Sequence, residues 1–156
     1  MKKKLIILVT LAICLIMVGC ANTNKETKAI TDWKNDDGNV SDKEFKEYTK
    51  NNNSLSYEKD KFVIKKSENV NKATADDTNI TTYSVSDVYL PKDMARKLLK
   101  DDLTKTELLT KYIGAAQAIT VDGDKTTVSF VTGPRGYENI TFVFEKDKLV
   151  DKKKDF

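Results

Sequence analysis

The chain has 156 residues, with 27 Lys and Arg against 24 Asp and Glu, two cysteines and no histidine. Without histidine, Ser-His-Asp and Cys-His catalysis and histidine-based zinc sites are excluded. The formal charge of +3 is carried by Lys2, Lys3 and Lys4, and the rest of the chain is balanced, so it lacks the cation excess with which proteins displace counterions from nucleic acid.

In chain order, the first feature is that basic start followed by the apolar run Leu5 to Val18. A charged stretch leading into such a run reads as a signal peptide. The run is shorter than the roughly 20 residues that span a bilayer as a helix. It ends in Met17-Val18-Gly19-Cys20, which resembles the bacterial lipobox, with Met17 where Leu is usual. That resemblance implies cleavage before Cys20, covalent diacylglycerol and palmitate on that cysteine, and attachment to the extracytoplasmic face of a cell membrane. Cys14 leaves with the signal and lipid consumes Cys20, so no disulfide or free thiol is expected in the mature chain. Residues 1–19 are thus expected to be a signal peptide, 20–30 a lipidated tether, and 31–156 an extracytoplasmic domain. Lys and Asn richness suggests an AT-rich, Gram-positive host.

Next comes a loop with partial calcium-binding chemistry. Asn35, Asp37, Gly38, Ser41 and Glu44 occupy the third, fifth, sixth, ninth and twelfth positions of an EF-hand-like register, in which alternate oxygens and a bidentate Glu surround the ion. Trp33 stands at the first position, where an oxygen ligand is required. A polar turn feeding a capped helix explains Gly38, Ser41 and Glu44 without metal. Ser41 and Glu44 have the spacing of a capping box, and Val40 and Phe45 that of a hydrophobic staple, predicting a helix to about Lys50 with Phe45 and Tyr48 inward.

Tyr57 and Phe62 to Ile64 suggest a hairpin around Lys59-Asp60. Ser67 to Thr78 has no apolar periodicity and is expected to be a mobile loop, with a strand from Ile80 to Leu90. A helix opens at Pro91 as its first-turn residue, with Met94, Ala95, Leu98 and Leu99 on one face. Thr104 and Glu107 form a second capping box, Leu103 and Leu108 its staple, and Gly114 a left-handed C-cap. Four strands follow: Ala118 to Val121, Lys125 to Thr132, a third carrying Ile140, Phe142 and Phe144, and a last one with Leu149 and Val150. Asp122-Gly123, Gly133 to Gly136 and Asp147 mark their turns. The predicted fold is α+β, short helices packed on an antiparallel meander sheet, as one domain or as two small modules divided near residue 90.

The order from Pro91 to Lys153, two helices and then a meander, resembles the α+β module of β-lactamase-inhibitor-like domains and outer-membrane assembly lipoproteins. The resemblance implies protein binding by the sheet face and hairpin loops, and carries no catalytic residue. The acidic pairs Asp76-Asp77 and Asp101-Asp102 read as solvated turns, and no phosphate-cradling glycine motif occurs. The expected function is therefore a lipid-anchored, non-enzymatic interaction protein with no cofactor beyond the lipid and an unidentified protein partner. Arg135 and Tyr137, beside the Pro/Gly reversal, are the candidate contacts, because Arg and Tyr are enriched at interface hot spots; a plain tight turn is the blander account. The alternatives are a calcium-responsive surface module using Asn35, Asp37 and Glu44, and an immunity or exclusion lipoprotein that intercepts a toxin or inhibitor. Cys20→Ala should abolish lipid attachment and leave the leader uncleaved by the lipoprotein pathway. Intact-mass spectrometry of the purified protein checks this, and an unmodified Cys20 in the wild type would refute it.

Overall fold

The computed structural model describes residues 40–76, 78–85, 88–132 and 138–155. The first helix, α1 (Asp42–Asn51), starts on the expected capping box: Glu44 N donates to Ser41 Oγ, and Ser41 N donates to Glu44 Oε2 at 2.9 Å. Val40, Phe45 and Tyr48 are buried. A hairpin of β1 (Leu55–Glu58) and β2 (Lys61–Ile64) follows, its turn formed by Lys59 and Asp60, both at positive φ. Two such residues match the right-handed twist of the strands they join.

The segment expected to be a loop is instead a 3-10 turn (Ser67–Asn69) and a strand, β3 (Val70–Thr74), paired antiparallel with β4 (Ile80–Val85). Only Val70 of β3 is buried. An edge strand need not alternate polar with apolar, so no periodic signal marks it. The following strand also stops at Val85, short of Leu90; Val88 and Leu90 are buried without being strand.

Two further helices are α2 (Lys92–Lys97) and α3 (Lys105–Tyr112). Pro91 caps α2 from outside, one position earlier than expected. At α3, Thr104 accepts from Glu107 N at 3.1 Å, but the Glu107 carboxylate is turned to Lys100 and Lys111, so only half of the second box forms. Four strands complete the chain: β5 (Ala118–Asp122), β6 (Lys125–Thr132), β7 (Glu138–Glu145) and β8 (Lys148–Lys154). With β3 and β4 they form one six-stranded antiparallel sheet in sequential order, not a four-stranded one. The β4–β5 pairing joins residues on both sides of position 90. The α+β reading, short helices on an antiparallel meander, is the architecture observed.

The core lies between the helices and one face of the sheet. Phe130, Phe142, Phe144, Ile140 and Val128 project from the sheet with no exposed surface, and Leu108 and Leu109 of α3 are equally enclosed. Met94 and Ala95 of α2 and Phe45 and Tyr48 of α1 belong to the same buried cluster. Each buried Phe or Leu contributes about 1.5–3 kcal/mol, so this one-sided burial fixes where the helices sit. The Phe62 ring packs 5.1 Å from that of Tyr83, holding the β1–β2 hairpin against β4.

Gly114 does not cap α3 in a left-handed conformation. It sits in a 3-10 turn, Ile113–Ala115, and among the described glycines only Gly123 has positive φ. Its role is close approach: a Cβ built there would lie 2.8 Å from the carbonyl oxygen of Thr49 in α1. Nor is the β5–β6 turn centred on Asp122-Gly123. Asp122 pairs with Lys125, so Gly123 and Asp124 are the central residues.

Gly114→Ala should therefore push α1 away and destabilise the fold by about 1–3 kcal/mol, the usual cost of overpacking. Urea melts measure the loss, and amide exchange should rise in α1 first. Unchanged exchange in α1 would show that the contact does not hold it.

Candidate functional site

Successive residues of a strand point to opposite faces, so the alternation that buries one face of the sheet also dictates the composition of the other. On that outer face Thr82, Thr120 and Thr127 lie side by side across β4, β5 and β6, followed by Val143 on β7. A second row runs Ser84, Ala118, Ser129, Thr141. Thr82 Oγ1 is 3.2 Å from Thr120 Oγ1, and Ser129 Oγ is 3.1 Å from Thr141 Oγ1. Thr120, Thr127, Ser129 and Thr141 all remain part-exposed. Only at the far end, where Leu90 N donates to the carbonyl of Val131 at 2.9 Å, is a side chain of this face buried.

These properties make the face suited to docking. Its side chains are short, and β-branched Thr and Val are stiff at χ1, so covering them costs little rotamer entropy. Four of the hydroxyls bond one another in two pairs, which reduces the penalty for removing water from them. No ionisable group stands in the two rows between β4 and β7.

At the turn end of the sheet is a groove of about 1060 Å³ lined by Asp101, Asp102, Asp124, Asp147, Lys146 and Lys148 among others. Several of its carboxylates are already committed. Asp101 Oδ1 lies 2.6 Å from Lys152 Nζ, which holds its carboxyl below the usual carboxylate range. Asp124 faces Lys146 at 3.9 Å. Asp147 completes the start of α3: its carbonyl accepts from Lys105 N at 3.1 Å and its Oδ1 from Thr106 N at 2.7 Å. With Thr104 on Glu107 N, the first three N–H groups of α3 all have acceptors, although a helix start cannot supply them itself. Nearby, burial and then a hydrogen bond to Asp60 push the Tyr57 hydroxyl pKa up. The groove reads as the join between sheet and helix.

Of the residues put forward as lipidation, calcium or partner contacts, Glu44 is described, with Ser41 of the same register, and its carboxylate serves the capping box of α1. Cys20, Asn35, Asp37, Arg135 and Tyr137 lie outside the described residues. Among the described residues no group of three or more Asp, Glu, Cys or His is arranged to hold a metal ion, and no helix is long and apolar enough to cross a membrane. The hydroxyl rows were missed because they exist only once strand register is known; the Thr and Ser residues alternating with buried Val and Phe along β6 were the available signal. No family model matches this chain, and neither a curated protein nor a solved structure matches it.

Asp147→Ala should cost about 0.5–2 kcal/mol, the range for losing an N-cap acceptor, while Asp147→Asn, which keeps an acceptor oxygen, should cost less. Paired urea melts test this. Equal melts for wild type and Asp147→Ala would show that the carboxylate does not support the helix.

Proposed function

We propose that this chain is a lipid-anchored, extracytoplasmic, non-enzymatic binding protein, held at a cell membrane through Cys20 and meeting protein partners with the outer face of its sheet. The observation that carries the binding reading is the asymmetry of the sheet. One face is covered by the helices and the β1–β2 hairpin, and the other presents two rows of small, uncharged side chains, two pairs of them joined by hydrogen bonds. The Lys-rich start, apolar run and Cys20 support the anchor. The balanced charge of the chain after Lys4 argues against a polyanionic partner. The resemblance to sheet-face binders rests on two helices leading into a meander, and here the sheet extends two strands further, through β3 and β4.

The test places a photo-crosslinking residue at Thr120 or Ser129 in the full-length protein on living cells, with Lys43 on α1 as the reference position. Discrete protein adducts are expected from the two sheet positions and none from Lys43. Thr127→Lys should remove those adducts while changing stability by no more than about 0.5 kcal/mol, as surface substitutions usually do. Adducts of equal yield from Lys43 would overturn the assignment of the face.

A further inference from the structure

Asp122, Lys125, Glu145 and Lys148 stand side by side on β5, β6, β7 and β8, each the cross-strand partner of the next. All four point to the outer face, because Ile119, Val128, Phe142 and Phe144 of the opposite parity are buried within β5, β6 and β7. All four are exposed. The row therefore alternates minus, plus, minus, plus along the turn end of the sheet. None of the four enters an ion pair among the described residues, although other exposed Asp, Glu and Lys side chains do.

Such a row is complementary to itself. Rotating a second copy by half a turn, about an axis parallel to the strands and midway between the two faces, reverses its order. Asp122 then meets the copy's Lys148, and Lys125 meets the copy's Glu145. All four contacts across the junction join opposite charges. The same operation lays Thr127 against the copy's Val143 and Ser129 against the copy's Thr141, small side chains close to the axis. Faces of this kind pack about 10 Å apart, and a two-fold contact closes on itself without propagating.

From this self-complementarity we infer that the occupant of the outer face is a second copy of this chain, paired face to face about a two-fold axis between β6 and β7. The inference rests on the proposal that this face is a docking surface, and names what docks there. Opposed like charges cost several kcal/mol and act against wrong pairings, so the row would fix the register of the two sheets while the hydroxyl rows supply the contact area.

The experiment uses two differently tagged full-length copies, co-expressed and purified in detergent through one tag. Wild-type copies should co-purify. Lys125→Glu expressed with itself brings Glu against Glu at two contacts, and Glu145→Lys with itself brings Lys against Lys at two. Each should lower recovery of the second tag by more than about tenfold. Lys125→Glu paired with Glu145→Lys should restore it, since every contact across the junction is then again between opposite charges. Thermal melts of each variant show whether folding is intact. A role limited to cross-strand pairing within one chain predicts no such rescue between chains. Wild-type copies that stay apart, or single variants that associate as well as wild type, overturn the inference. If the crosslinks from Thr120 then still capture a different protein, the docking face stands and only its occupant is wrong; if they capture nothing, both fall.

Discussion

The enclosure of one sheet face is the constraint on which everything else depends. Phe130, Phe142 and Phe144 are fully buried, with the Phe130 and Phe142 rings edge to face at 6.2 Å. Because the side-chain period of a strand is two, a slip of one residue in β6 or β7 would send a whole apolar set into water. The register is therefore fixed by the inner face and inherited by the outer one. The hydroxyl rows and the alternating charges are aligned by interactions made on the opposite side of the sheet.

The helices are fixed to this sheet by polar ties as well as by burial. Asp147, in the β7–β8 turn, is bonded to the start of α3, and Lys152 of β8 donates to the carbonyl of Leu99 and to Asp101 just after α2. Tyr89 N donates to the hydroxyl of Tyr48 at 2.7 Å, linking α1 to the segment before α2. Glu107 on α3 has its carboxyl pKa lowered, first by Lys100 and then by Lys111. A carboxylate so depressed adds stability above its unfolded pKa and loses it as pH falls through the lowered folded value. Acid should therefore weaken this tie of α3 to Lys100.

Local chemistry was legible in the sequence where it is self-contained. The four residues Glu-Lys-Asp-Lys occur twice, at 58–61 and 145–148, and both copies are two-residue hairpin turns. The Ser41–Glu44 box formed in full. What failed needed a neighbour. Gly114 looked like a cap because it follows a helix, but its constraint comes from Thr49, 65 positions earlier in the chain. Glu107 looked like half of a box until Lys100 and Lys111 claimed its carboxylate. β3 gave no signal because its partner covers only one edge and its faces stay wet. The candidate site was the least legible part, since Thr82 and Thr120 become neighbours only through the pairing of β4 with β5.

The contact between Gly114 and Thr49 also has a mechanical meaning. In the proposed anchored form, α1 is the first described element after Cys20, with Val40 directly before it. A pull on the sheet away from the membrane is then carried in series through α1, and the join between Thr49 and Gly114 lies in that line of load. The strands, bonded side by side, share the force; α1 is held by the burial of Phe45 and Tyr48, the Tyr48–Tyr89 hydrogen bond and the close fit at Gly114, and has no place in the sheet ladder. Under tension α1 should peel first, lengthening the leash while the six-stranded sheet and its outer face stay intact.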